Sequence, residues 1–146
     1  MGRVVAGLEV EVIGAQSTAN APSLAQVRRL CAVAAAAAGV QDGHVAIEFV
    51  DAARIAQLNA EHRGKDEPTD VLSFPIDGTE SPAIDAPATH AGVPRELGDV
   101  VICPEHTVDI REAIVHGVLH LVGMDHESDE GEMLAVQAEL LRWESL

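Results

Sequence analysis

The hydrophobic period switches between two and about three and a half residues several times along the chain, and no segment repeats another. This pattern points to strands and helices interleaved in one mixed layer structure. Leu8, Val10 and Val12 alternate with Glu9 and Glu11, as in a strand with one face on a core and one in water. Ser23, with Gln26 three residues on, is a capping-box pattern opening an alanine-rich helix that Gly39 closes. Residues 45–50 read as a second strand. Asp51 can then cap a helix in which Ile55 and Leu58 share a face before Gly64 stops it. Two further strands are expected at 71–74 and 97–103. Asp109 can cap a helix that continues through His120 to Gly123, and Met133, Val136 and Leu140 mark a last helix at about 129–143. The expected fold class is α+β (mixed α/β), with a four-stranded mixed sheet packed with four or five helices.

Two stretches break the periodicity. The segment RGKDEPTD, 63–70, places charges and a proline between a helix and a short apolar strand, where function commonly resides. Residues 75–94 are mostly small, Pro, Thr, Ser and Asp without a period, and read as a mobile surface loop within a single domain spanning 1–146. A chain of 146 residues that is 47% hydrophobic can bury a sizeable core. Its aromatic residues are only Phe49, Phe74 and Trp143, so that core is built from Ala, Val, Leu and Ile, and little is left for stacking bases.

The formal charge of −15 disfavours a broad basic face for nucleic-acid backbones, and no DNA partner is expected. Binding of an anion by a chain of this composition depends on one local positive spot, made by a bound dication and a few cationic side chains. Cys31 and Cys103 have no metal or redox spacing and read as small buried hydrophobes of a reducing cytoplasm. Glu9 and Glu11 interrupt any export signal, and the longest apolar run, 30–40, is too short to span a membrane. A cytoplasmic location without a membrane partner is the expectation.

The sharpest chemical signal is HGVLHLVGMDH, 116–126. On a helix, His116 and His120 project from one face one turn apart, and Gly123 lets the chain fold back so that His126 approaches the same point. Three nitrogen ligands on one zinc ion leave the fourth position open, as in catalytic sites. The spacing also matches peptidases of the HExxHxxGxxH type, whose general base is the Glu beside the first His. Here that position is Gly117, which argues against a peptidase.

Three blocks, NAEHRGKDEPTDVLSFP from Asn59, LGDVVICPE from Leu97 and HGVLHLVGMDHESDEGEML from His116, resemble the YbeY family of bacterial rRNA maturation factors. That family is described as metal-dependent, single-strand-specific endoribonucleases. The resemblance implies that His116, His120 and His126 bind one Zn2+ and that Arg63 is the essential arginine. It further implies single-stranded RNA as substrate, 16S rRNA processing and ribosome quality control as setting, and the small ribosomal subunit and its proteins as partners. A guanidinium suits the arginine's role, since it grips a phosphate with two parallel hydrogen bonds and opposes the charge that grows on a phosphoryl group under attack. Lys65 is a candidate for holding the substrate backbone. Asp70 and Asp99 are candidates either for orienting the imidazoles or for turn and cap roles, and Asp125 and Glu127 are the nearest acids to the histidines. Both water and the ribose 2′-hydroxyl remain open as nucleophile.

Against the family pattern, His62 stands where an aromatic or apolar residue is expected, Cys103 replaces a small Ser, and the stretch from Glu105 to His116 is short. The competing reading is a non-catalytic small-subunit assembly factor with a structural metal.

Overall fold

A computed structural model describes residues 8–15, 21–40, 42–76, 96–123 and 132–144, with side chains of the last helix described from 135 to 142. In chain order these form β1 (Leu8–Ile13), α1 (Leu24–Ala37), β2 (Gly43–Phe49), α2 (Ala52–Arg63), β3 (Val71–Pro75), β4 (Glu96–Ile102), a 3-10 turn (Pro104–His106), α3 (Ile110–Leu121) and α4 (Glu132–Glu144). The expected mobile loop falls almost wholly outside the described residues.

The strands make one four-stranded sheet in the order β1-β2-β4-β3. β1, β2 and β4 run parallel, and β3 joins the far edge antiparallel to β4. The expected class therefore holds: α+β, with a mixed sheet and, among the described residues, four helices.

The caps form where short polar side chains can satisfy the first free amides of each helix. Ser23 accepts from the Gln26 amide, Asp51 from Arg54, and Asp109 from Arg111 and Glu112. α2 stops at Gly64, whose φ of +74° lies in the left-handed region that glycine enters without strain. That stop leaves Arg63 as the last helical residue.

The principal core lies between the sheet and the layer of α1 and α3, where Leu30, Ile47, Ile114 and Leu119 are fully buried. Each such side chain contributes roughly 1.5–3 kcal/mol relative to exposure. A second, smaller cluster of Ile55, Leu72, Val101 and Cys103 sits on the opposite face under α2. Strand alternation sends Val100 and Ile102 to the first core and Val101 and Cys103 to the second, so residues 100–103, at the end of β4, are covered on both sides and read as a continuous apolar run.

Toward β1 the second face, among the described residues, is acidic and carries Glu11 and Glu96. His44 bridges strands there, with Nδ1 2.9 and 3.0 Å from the two Glu96 carboxylate oxygens and Nε2 3.4 Å from Glu11. Both cysteines are fully buried, and burial pushes the Cys31 thiol up to about 12, consistent with hydrophobic packing rather than reactivity. No described helix is long and apolar enough to cross a membrane.

Candidate active site

α3 buries Ala113, Ile114, Val115, Gly117, Val118, Leu119 and Leu121. Glu112, His116 and His120 are left at four-residue steps along its remaining side, and all three line a groove of about 930 Å³. The two histidines arrive as their spacing predicts. Their Nε2 atoms stand 3.2 Å apart, and the rings meet edge to face with centroids 4.7 Å apart.

That separation matches the edge of a tetrahedron with metal–nitrogen bonds of roughly 2.0–2.1 Å, about 3.3 Å, so the pair fits two corners of a zinc site. Among the described residues no third His, Cys, Asp or Glu completes a ligand set. His126, with Asp125 and Glu127, lies outside them.

Gln137 of α4 is a groove residue beside His116 that the sequence does not single out. It is 8% exposed, and its Oε1 lies 2.8 Å from His116 Nδ1. The signal was present: a glutamine sits among Val136 and Leu140 on the face that packs toward the principal core.

α3 lies so close to β4 that a Cβ added at Gly117 would stand 2.4 Å from Val100 Cγ1. The Gly117 carbonyl also accepts a hydrogen bond from Ser73 Oγ at 3.1 Å, tying α3 to β3. The glycine beside His116 is therefore a packing requirement. The glutamate base of a zinc peptidase has no room at this position.

Across the groove stand His62 and Arg63, at the end of α2. The turn that follows is held by Asn59, whose Nδ2 donates to the Glu67 carbonyl at 2.9 Å and whose backbone carbonyl accepts from the Lys65 amide. Lys65 itself is exposed and does not line the groove. His62 packs its ring on Phe74 at 4.5 Å, so an imidazole takes the place of the expected aromatic or apolar group.

Asp70 lines the groove, but its Oδ1 accepts from the Val71 amide at 2.8 Å and from Thr69 Oγ1 at 3.3 Å, a turn role at the start of β3. Asp99 does not reach the imidazoles. It follows the parity of Val101 onto the opposite face of the sheet, where burial first, and then the Glu96 charge, raise its carboxyl above the usual range.

Between β4 and α3 lie the 3-10 turn and residues 107–109, with Val108 fully exposed at the groove rim. Among the described lining residues Arg63 is the one fixed cation, facing the carboxylates of Asp70, Asp109 and Glu112. Among these side chains, an anion entering the groove finds its fixed positive charge at Arg63.

Residues 14–143 match the model of the family described as endoribonuclease YbeY. Curated relatives carrying that name include the protein of Bacillus cytotoxicus, 38% identical with 79% of this chain and 82% of the relative covered. The Geobacillus thermodenitrificans protein is 36% identical and the Bacillus subtilis protein 34%, each with 92% of this chain and 94% of the relative covered. Among solved structures, the solution structure of TM1509 from Thermotoga maritima is similar in fold, with a TM-score of 0.52 at 23% identity over 93% of this chain and 92% of that one. The match over nearly the whole sequence, at these identities and with this fold, establishes that the chain belongs to the endoribonuclease YbeY family.

Proposed function

We propose that this chain is a zinc-dependent endoribonuclease that cuts single-stranded RNA in the course of 16S rRNA maturation and ribosome quality control, acting in the cytoplasm on the small ribosomal subunit. The reading rests on family membership and on one geometric observation: Arg63 and the convergent His116–His120 pair line the same groove.

In this reading the two histidines, with His126, hold the ion, and Arg63 binds the scissile phosphate through paired N–H donors. When bound, the ion supplies Lewis-acid polarisation of a phosphoryl oxygen and a lowered water pKa. Arg63 then opposes the negative charge that develops on the phosphoryl oxygens, at the end of a helix whose Gly64 stop fixes where the side chain begins. Lys65, outside the groove, holds the strand as it enters. The three groove carboxylates repel the phosphate backbone elsewhere and so confine productive binding to the spot that Arg63 and the ion share.

The test is cleavage of single-stranded against double-stranded RNA by purified protein. Arg63→Ala is expected to lose cleavage by about 10²–10³-fold, the range for removing one preorganised charge-stabilising donor, while zinc content stays at the wild-type level. Equal residual cleavage by wild type, Arg63→Ala and His116→Ala would mark a contaminating nuclease and refute the enzyme reading.

The acidic groove favours one second reading, a small-subunit assembly factor whose metal is structural. It predicts RNA association and metal retention without any cleavage that depends on Arg63.

A further inference from the structure

From the contact between α4 and α3 we infer that Gln137 is a positioning residue of the metal centre, fixing which nitrogen of His116 presents its lone pair to the ion. The inference rests on the proposed metal site and goes beyond its ligands.

Gln137 Oε1 is 2.8 Å from His116 Nδ1. An amide oxygen only accepts, so Nδ1 carries the hydrogen and donates it, and the lone pair is left on Nε2. Nε2 is the atom that stands 3.2 Å from its counterpart on His120, at the separation of two ligands of one zinc ion. The other tautomer would put a hydrogen where the ion binds and, with the amide oriented as it is here, would leave two acceptors facing each other at 2.8 Å. One hydrogen bond thus selects the ligating nitrogen and holds the ring plane.

The partner's neutrality also matters. Carboxylates commonly orient metal-bound imidazoles, yet this groove already presents Asp70, Asp109 and Glu112 to a phosphate. A glutamine supplies the acceptor without a fourth negative charge beside the substrate. Its 8% exposure keeps water from competing for the imidazole hydrogen.

The experiment measures zinc affinity by competition with a chromophoric chelator for wild type, Gln137→Leu, Gln137→Glu and His116→Ala. Long-range ¹H–¹⁵N spectra of the metal-free full chain, at alkaline pH where imidazoles are neutral, read the His116 tautomer. Gln137→Leu is expected to weaken zinc binding by about 10–100-fold, the usual effect of losing a ligand's orienting partner. Gln137→Glu, which keeps the acceptor, restores affinity to near wild type. The spectra should show hydrogen on Nδ1 in wild type and Gln137→Glu, and a mixture in Gln137→Leu.

Melting of the metal-free variants checks that the fold is intact, and Gln137→Met, equally long and lacking the acceptor, replaces the leucine variant if that one does not fold. Zinc bound as tightly by Gln137→Leu as by wild type, with His116→Ala defective, would overturn the role of Gln137 and leave the metal site standing. A wild-type chain that takes up no zinc would overturn the metal site and this inference together.

Discussion

Replacing Gly117 with alanine sets two effects of opposite sign against each other, and the structure decides between them. In the middle of α3 the substitution gains about 1 kcal/mol of helix propensity. The new methyl, however, would stand 2.4 Å from Val100 Cγ1, 3.0 Å from Cγ2 and 3.3 Å from Cβ, far inside the roughly 3.5–4.0 Å of a good carbon contact. Val100 cannot swing aside easily, because its branched side chain is stiff and it is fully buried on a strand paired to β2 on one side and β3 on the other. Overpacking of this kind costs about 1–3 kcal/mol, and a backbone-anchored neighbour places it at the upper end.

The expected net loss is about 1–2 kcal/mol, or roughly 2–8 °C in Tm for a domain near this size. Urea denaturation followed by circular dichroism measures it. The companion variant Val100→Ala removes the obstructing methyls, so the double variant should be more stable than the sum of the single effects predicts, by about 1 kcal/mol. If Gly117→Ala is as stable as wild type, or if the two substitutions simply add, the close approach of α3 to β4 is not what excludes a side chain at this position.

Three further outcomes follow from the same contacts. Asp109→Ala removes the acceptor for the Arg111 and Glu112 amides and should cost about 1 kcal/mol by chemical denaturation, with weaker zinc binding because the capped helix carries both histidines. His44 has its pKa raised, chiefly by the hydrogen bond to Glu96. Its contribution to stability is therefore complete below the ordinary histidine value of about 6.5 and is lost as pH rises through the raised value. Stability measured across that window should decline in wild type and stay nearly flat in His44→Gln, and parallel curves would refute the assignment. For binding to single-stranded RNA, two phosphate contacts, to Arg63 and Lys65, give a slope of log K against log salt of roughly −1.4. Lys65→Ala should reduce it by about half, whereas a slope several times steeper would reveal a basic surface elsewhere.

The helices were legible because their signals are local. Ser23, Asp51 and Asp109 cap within three residues, Gly64 terminates where its φ demands glycine, and His116 and His120 meet because a helix brings residues four apart together. What the sequence concealed depends on chain reversal and on strand parity. Gln137 lies 21 residues from His116 and reaches it only after α4 docks. Asp99 could not be assigned a face, because the end of β4 is buried on both sides and loses the alternation that marks β1, and its register with β2 shifts between His44 and Val45. The antiparallel placement of β3 at the sheet edge, which brings Ser73 to α3, is likewise a property of the whole topology.

The arrival of α4 has a consequence in time. A chain synthesised from its N-terminus completes α3, with both imidazoles, before Gln137 has been added. At about 5–20 residues per second the 21-residue gap is roughly one to four seconds. During that interval the hydrogen bond between Gln137 and His116 Nδ1 is not yet made. α4 must then dock against α1, made much earlier, as well as against α3. The hydrogen bond that orients the His116 ring is thus made only once the first and last described helices have met, although both imidazoles are in place much earlier.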